Sequence, residues 1–341
     1  MANTMSLWQY DGTVNKIEEA VHLTKGPMPA IASLTKGQLL IRVFSVSLNP
    51  VDYKLPESAM GSRSVRRPAI PGLDFCGLVI AAHKSVNAFK DGQLVFGGFS
   101  RTPQHGTLAE YTVVAASECA LLPDGVKPDQ AAAAATAATT ALQSLRSDVV
   151  KPGATVFING GSGGVGTWGI QFAKIMGARV VTSCSGSALD LCKQLGADEV
   201  IDYTKSNLVA DLKSRGAAFD LIVDNVGSTS DLYNLGSTVL KPGGMFVQVG
   251  LGGGMDLMSI AMVIKRSMLG CASTLTGGPR YYFVRASNST ESLSQIARWM
   301  VEGRAKAVIQ GSFPFSKVPQ AFQQLKQGHA RGKIVISVAD L

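Results

Sequence analysis

Histidine, cysteine and charge are all scarce in this chain of 341 residues, and each shortage narrows what it can be. Five cysteines occur, at Cys76, Cys119, Cys184, Cys192 and Cys271. They are odd in number and form no Cys-x-x-Cys pair, which argues against a disulfide framework or a zinc knuckle and fits a reducing compartment. Most of them read as small buried hydrophobes. The four histidines, His22, His83, His105 and His329, have no ligand spacing with a cysteine, so no metal is expected. Charged residues make up 16% of the chain and apolar residues 46%, far too little charge for a disordered polymer and enough apolar material for a large core. The net charge of +8 is scattered, without the basic stripe of a nucleic-acid binder. It reads as a solvated basic surface that would also attract an anionic cofactor. No apolar run reaches the ~18 residues needed to span a membrane. The alanine-rich stretch Ala131–Leu142 is shorter and interrupted by threonine. The first residues lack the charged start and apolar stretch of a secretory signal and the arginine-rich character of a transit peptide, so a cytoplasmic protein is expected.

What is present is regular. The length suggests about two domains. The first ~125 residues read as short strands, Leu39–Val46, Cys76–Ala82, Leu94–Phe96 and Tyr111–Val114, separated by proline and glycine. The pattern changes near Pro128, where Asp129–Leu145 reads as one helix of packing alanines. Strand and helix then alternate. The strands are Thr155–Ile158, Arg179–Ser183, Glu199–Tyr203, Phe219–Val226 and Met245–Val249, and Met268–Ala272 is taken as the sixth. The helices are Gly164–Met176, Ser187–Leu195, Asn207–Ser214, Ser230–Leu240 and Leu257–Lys265. Apolar strands alternating with helices indicate a parallel, doubly wound sheet. The tail reads as a helix Glu291–Val301, a strand Ala307–Phe313, a helix Pro319–Lys326 and a strand Lys333–Val338.

The strongest motif is Gly161-x-Gly163-x-x-Gly166, directly after a strand and directly before a helix. Gly161, Ser162, Gly163, Gly164, Val165 and Gly166 would cradle a pyrophosphate with backbone N–H groups at the helix N-terminus. An NAD site usually places Asp or Glu at the end of the next strand. Here that strand ends Val181-Thr-Ser-Cys-Ser-Gly-Ser187, with no carboxylate before Asp190. Ser185 and Ser187, with Tyr203 at the end of the third strand and Lys193 adding charge, are candidates to hold a 2′-phosphate, so NADPH is the expected cofactor. Ser187 would equally serve as a helix N-cap.

The chain resembles the medium-chain dehydrogenase/reductase superfamily, in particular its zinc-free quinone oxidoreductase and enoyl reductase branch. The matching segments are Ser47-Leu-Asn-Pro-Val-Asp-Tyr-Lys54, Pro71-Gly-Leu-Asp-Phe-Cys-Gly77, His105-Gly-Thr-Leu-Ala-Glu-Tyr111, Gly161–Gly166, Leu195-Gly-Ala-Asp-Glu-Val-Ile-Asp-Tyr203, Lys241-Pro-Gly-Gly244 and Gly328-His-Ala-Arg-Gly-Lys-Ile-Val335. The resemblance implies an α/β fold: a GroES-like, β-rich catalytic domain from residues 1–128 and 287–341, around a Rossmann NADPH-binding domain at 129–286, with the active site in the cleft. The zinc alcohol dehydrogenases carry a cysteine where this chain has Asn49, a Gly-His-Glu where it has Gly72-Leu73-Asp74, and a four-cysteine zinc lobe that is missing here. Without a Lewis acid, alcohol oxidation is disfavoured.

Hydride addition to an enone or quinone leaves negative charge on the carbonyl oxygen, which needs a hydrogen-bond donor or an acid. Asn49, Tyr53 and Lys54 are the candidates for that work. Against this, Tyr53 would pack in the core, and Asp52 and Lys54 would form a solvated pair. The resemblance also brings Thr140 to the nicotinamide or its ribose, Asn225, Val226, Gly250 and Leu251 to the cofactor at the carboxyl edge of the sheet, and Lys333 to the cofactor phosphates or ribose. Asn225 as a turn residue and Lys333 as a surface charge are the plain alternatives. Thr274–Phe283 would line the substrate pocket or a dimer edge. The expected function is NADPH-dependent reduction of a small quinone or enone, possible as a homodimer. A dedicated biosynthetic enzyme (an enoyl reductase serving a polyketide assembly, or a redox-silent cyclase or isomerase) and a nucleotide-binding scaffold remain open.

Overall fold

The computed structural model describes residues 4–59, 61–227, 230–251, 257–275, 277–328 and 331–339. Thr276 of the 274–283 stretch, and His329 and Ala330 of the C-terminal motif, lie outside the described residues. The chain divides into two units at Thr139/Thr140 and Arg285/Ala286, so both chain ends build the first unit and the middle builds the second.

The spine of the first unit is the strand Gln38–Leu48. Its near-continuous apolar run is explained by burial on both faces. Leu39, Ile41, Val43, Val46 and Leu48 enter the main core with Phe75, Val95 and Ile334, while Leu40 packs with Leu34 and Ala81 on the other side. The sheet runs Ile309–Pro314, Lys333–Ser337, Gln38–Leu48, Asp74–Ala82, Leu94–Gly98, Cys119–Leu121, and Tyr111–Ala115 also pairs with Gln38–Leu48. The registers Leu48–Ile334 and Ser47–Asp74 bring three distant segments side by side. A hairpin of Thr4–Gln9 with His22–Pro27 was not anticipated; it buries Met5, Leu7 and Trp8. The alanine-rich region forms two helices, Pro128–Ala132 and Ala135–Ser144, and not one. A run of alanines favours helix everywhere and so carries no signal for a break.

The second unit is a six-stranded sheet: β1 Thr155–Asn159, β2 Arg179–Cys184, β3 Glu199–Asp202, β4 Phe219–Asp224, β5 Leu240–Gln248 and β6 Arg280–Phe283. Its order, β3-β2-β1-β4-β5-β6, is that of a dinucleotide-binding fold, and every pairing is parallel. The helices are α1 Gly164–Ile175, α2 Leu189–Gln194, α3 Leu208–Ser214, α4 Ser230–Val239 and α5 Leu257–Leu275. Apolar side chains such as Phe157, Val181, Ile222 and Phe246 fill the space under α3 and α4.

One expected strand is corrected. Met268–Ala272 lies inside α5, and the sixth strand is Arg280–Phe283. Met268, Leu269, Cys271 and Ala272 are exposed, whereas Arg266 and Gly270 are buried, one helical turn apart. Gly270 explains the short apolar run: a Cβ there would stand 2.6 Å from Tyr281 Cβ, so its absence lets α5 pack tightly on β6. The helix therefore continues past Lys265, where it was expected to end, to Leu275.

Candidate active site

The glycines of the 160–166 loop divide their work by position. Gly160, outside the motif, takes the left-handed turn at φ +79. A Cβ on Gly161 would strike the side chain of Thr182 on β2, and one on Gly166 would stand 2.7 Å from Gly161 Cα. These two glycines allow α1, β1 and β2 to pack closely. Gly163 is different: a Cβ there would meet only Gly160 O at 3.6 Å, and its φ of −73 is open to any residue. Its small size serves no close contact among the described residues, which suits a site where a ligand approaches the backbone. Ser162, Gly163, Gly164 and Val165 are partly exposed at the start of α1.

A polar ladder crosses the carboxyl edge of the sheet. Ser183 Oγ donates to Asn159 Oδ1 (2.7 Å) and Asn159 Nδ2 donates to Asp224 Oδ1 (2.8 Å). Asp224 Oδ1 also accepts from the N–H groups of Val226 (3.1 Å) and Gly227 (3.0 Å), fixing the turn after β4. A Cβ on Gly160 would meet Val226 Cγ2 at 3.0 Å, and one on Gly250 would meet Asn225 O at 3.0 Å. Gly160, Asn225, Val226 and Gly250 are thus gathered at one edge, with Leu251 next in the chain. The Asn225 side chain is buried at both amide atoms, Nδ2 and Oδ1, and neither has a hydrogen-bond partner among the described residues. Burying a primary amide unpaired is costly, so its presence at this edge asks for a polar ligand. Thr140 is buried in the Ala135–Ser144 helix, where its carbonyl accepts from Ser144 Oγ.

At the end of β2, the Ser185 and Ser187 hydroxyls lie 3.3 Å apart. Neither acts as an N-cap through its side chain: Ala188 caps α2, and Ser185, which precedes the short turn 186–188, makes no cap bond. Tyr203 is exposed just beyond β3, and Lys193 is exposed on α2. One acid was missed by looking only along β2. Asp202 stands beside Cys184 in the register of β3, and its Oδ1 is taken by Thr204 N (3.0 Å) and Oγ1 (2.6 Å).

The first unit holds a second polar group, centred on an acid the sequence did not single out. Asp74 is fully buried. Its Oδ2 accepts from Asn49 Nδ2 (2.8 Å) and Ser47 Oγ (3.1 Å), and its Oδ1 from Thr136 N (3.1 Å) and Oγ1 (2.5 Å). Lys333, expected on the cofactor phosphates or ribose, is buried in this group. Its ammonium donates to Leu48 O (2.8 Å) and Asn49 Oδ1 (2.5 Å) and lies 3.5 Å from Asp74 Oδ2. Three donors meet three acceptors inside the unit. Burial lowers the Lys333 pKa, and the Asp74 charge opposes that shift. Asp52 Oδ2 accepts the Asn49 backbone N–H at 2.7 Å, and burial pushes its carboxyl up to about 7, aided by the Asp74 charge.

Asn49 therefore belongs to this buried network; one of its two amide N–H groups is committed to Asp74. Tyr53 and Lys54 stand on the helix Val51–Glu57, one residue apart and so on different faces. Tyr53 is half-buried against the main core, with Lys326 Nζ 5.6 Å from its ring centre, and burial raises its pKa. Lys54 is half-buried, and desolvation lowers its pKa. Among the described residues no three His, Cys, Asp or Glu side chains group as a metal site requires. No helix there is long and apolar enough to cross a membrane. Asp74 could have been suspected from sequence, since a carboxylate in an apolar strand is costly unless paired.

Fold and site together define an oxidoreductase, and the chain belongs to the medium-chain dehydrogenase/reductase superfamily. The family model described as "Alcohol dehydrogenase GroES-like domain" matches residues 35–124, and "Zinc-binding dehydrogenase" matches residues 195–336. A trans-enoyl reductase of Aspergillus terreus is 38% identical over 98% of this chain and 97% of its own. A 2-methylene-furan-3-one reductase of Solanum lycopersicum is 33% identical over 97% of this chain and 79% of its own. The structure of a quinone oxidoreductase from Coxiella burnetii superposes with a TM-score of 0.84 at 28% identity, covering 99% of this chain and 100% of that one. The family implies a nicotinamide cofactor. The unpaired Asn225 amide and the open backbone at Gly163 fit one.

Proposed function

We propose that this protein is an NADPH-dependent, metal-free reductase that delivers hydride to a quinone or to the C=C bond of an α,β-unsaturated carbonyl compound. The observation that carries the cofactor choice is the end of β2, where Ser185 and Ser187 stand in place of an acid and neither hydroxyl is spent on a cap. Two hydroxyls there can donate to a 2′-phosphate, whereas NAD binding would call for a carboxylate. Asp202 of β3 gives its Oδ1 to Thr204, while its Oδ2 faces the backbone of Gly186 between the two serines.

The bound cofactor supplies the hydride. Gly161, Ser162, Gly163, Gly164, Val165 and Gly166 hold its pyrophosphate; Asn225, Val226, Gly250, Leu251 and Thr140 serve its nicotinamide end. On the substrate side, Tyr53 or Lys54 donates to the developing oxyanion or gives up the proton. Desolvation makes the Lys54 ammonium a better acid than an exposed lysine. Asn49 adds its second amide N–H, and Lys333 with Asp74 holds that amide in place.

A second reading is supported by the 38% identity to a trans-enoyl reductase across 98% of the chain: a dedicated enzyme acting on one biosynthetic intermediate. One experiment separates them. Purified protein is titrated with NADPH and with NADH by tryptophan quenching, then given a panel of quinones and enones while the absorbance of the reduced cofactor is followed. Tight NADPH binding with turnover on the panel supports the general reductase. NADPH binding without turnover points to the dedicated substrate. Binding of neither cofactor refutes both readings.

A further inference from the structure

Arg266 is a cation buried in the middle of α5, at 5% exposure, and the groups that hold it are neutral. Its Nη1 donates to Gln248 Oε1 at 2.7 Å, and its guanidinium lies 4.4 Å from the ring centre of Tyr233. Tyr281 Oη donates to the same Gln248 Oε1 at 2.9 Å. An apolar side chain would fill this space at lower desolvation cost, so the charge is kept for something other than packing.

Gln248 shows what that is. It is the last residue of β5 and is buried. With Oε1 held by the Arg266 guanidinium, the amide cannot flip, because flipping would turn its N–H groups on a group that only donates. Nε2 is thereby aimed at Gly250 O, which it reaches at 2.8 Å. Gly250 packs against the loop after β4 so closely that a Cβ on it would stand 3.0 Å from Asn225 O and 3.2 Å from Val226 O. A continuous line of contacts therefore runs from α5 and β6, through Gln248, to the turns that carry Asn225, Val226, Gly250 and Leu251.

We infer that Arg266 and Gln248 are positioning residues for the nicotinamide end of the cofactor. Arg266 fixes the Gln248 amide, and that amide fixes the Gly250 carbonyl and the two turns that pack around it. The inference rests on the cofactor site proposed above and goes beyond it by assigning two residues that touch neither cofactor nor substrate.

Gln248→Glu separates positioning from packing. A glutamate keeps the acceptor for Arg266 and Tyr281 and turns the neutral contact into an ion pair, but it loses the donor to Gly250 O. Three quantities are measured on the whole protein: Tm without cofactor, the NADPH Kd, and kcat on the best substrate of the panel. The expected result is a Tm at or above wild type, with NADPH bound roughly 5- to 10-fold more weakly, the worth of one buried hydrogen bond, and a lower kcat. Arg266→Met, close in size and uncharged, is expected to weaken NADPH similarly with no loss of Tm. If both variants bind NADPH and turn over as wild type does, the inference is overturned whatever happens to Tm. If wild-type protein binds no nicotinamide cofactor, the proposed cofactor site itself has failed and this inference falls with it.

Discussion

Replacing Lys333 by methionine tests whether its ammonium is a structural part of the first unit. The change keeps the length of the stem and removes the charge. Left behind is Asp74, fully buried, with Ser47, Asn49 and Thr136 as donors but no cation, and Leu48 O loses its bond from the ammonium. Breaking a buried ion pair from one side costs about 3–5 kcal/mol. At about 1.4 kcal/mol per tenfold, amide exchange in the strand Gln38–Leu48 should speed up by roughly two to three and a half powers of ten where it is governed by opening of this unit. Removing both charges, Lys333→Met with Asp74→Asn, should cost less than the sum of the two single changes, because no lone charge remains. NADPH affinity should stay within roughly twofold, since no donor of the ammonium is left over for a ligand. A tenfold loss of NADPH affinity with unchanged exchange would refute this reasoning and return Lys333 to the cofactor.

Three further outcomes are expected. Gly163→Ala should leave Tm unchanged, since its Cβ meets nothing closer than 3.6 Å, yet weaken NADPH by tenfold or more; Gly166→Ala, whose Cβ would stand 2.7 Å from Gly161 Cα, should lower both Tm and affinity, and equal behaviour of the two would contradict the division of labour in the loop. Ser185→Ala with Ser187→Ala should weaken NADPH by roughly 10-fold and leave NADH within twofold, measured by fluorescence titration, because charge-assisted bonds to a phosphate are lost only with the former. The Asp52 pKa, raised from 3.8 to about 7, means that the folded chain holds a proton the unfolded chain has released, so stability is lost as pH rises across that window. About three pH units at about 1.4 kcal/mol each bound the effect near 4 kcal/mol; urea midpoints from pH 5 to 8 should fall in wild type and flatten in Asp52→Asn.

The sequence already showed the alternating second unit and the glycine loop between its first strand and helix, because a parallel sheet covered on both faces writes its strands as apolar runs closed by glycine. It misplaced the sixth strand for the same reason. Met-Leu-Gly-Cys-Ala is a short apolar run that fits strand or helix equally, and only the contact of Gly270 with Tyr281 decides it. Asn225, Ser185 and Ser187 were singled out because each follows a strand at the carboxyl edge of the sheet, where such a fold takes its ligand. Asp74, Asn49 and Lys333 were not legible as one group, since registers between segments hundreds of residues apart bring them together. Gln248 and Arg266 gave no signal either: a glutamine closing a strand and an arginine within a helix are ordinary until both prove to be buried.

The interleaving of the chain sets an order on its birth. Residues 140–285 carry all that the second unit needs and leave the ribosome together. The first unit cannot close until Lys333–Ser337 has been made, because that strand pairs with Gln38–Leu48. Until then the earlier strand has an open edge, and Asp74 has no ammonium to meet it. The half of the protein synthesised first is therefore the half that matures last, and it spends the intervening time with a sticky strand exposed. Chains stalled or clipped shortly before residue 333 should yield a finished nucleotide-binding unit attached to an aggregation-prone partner.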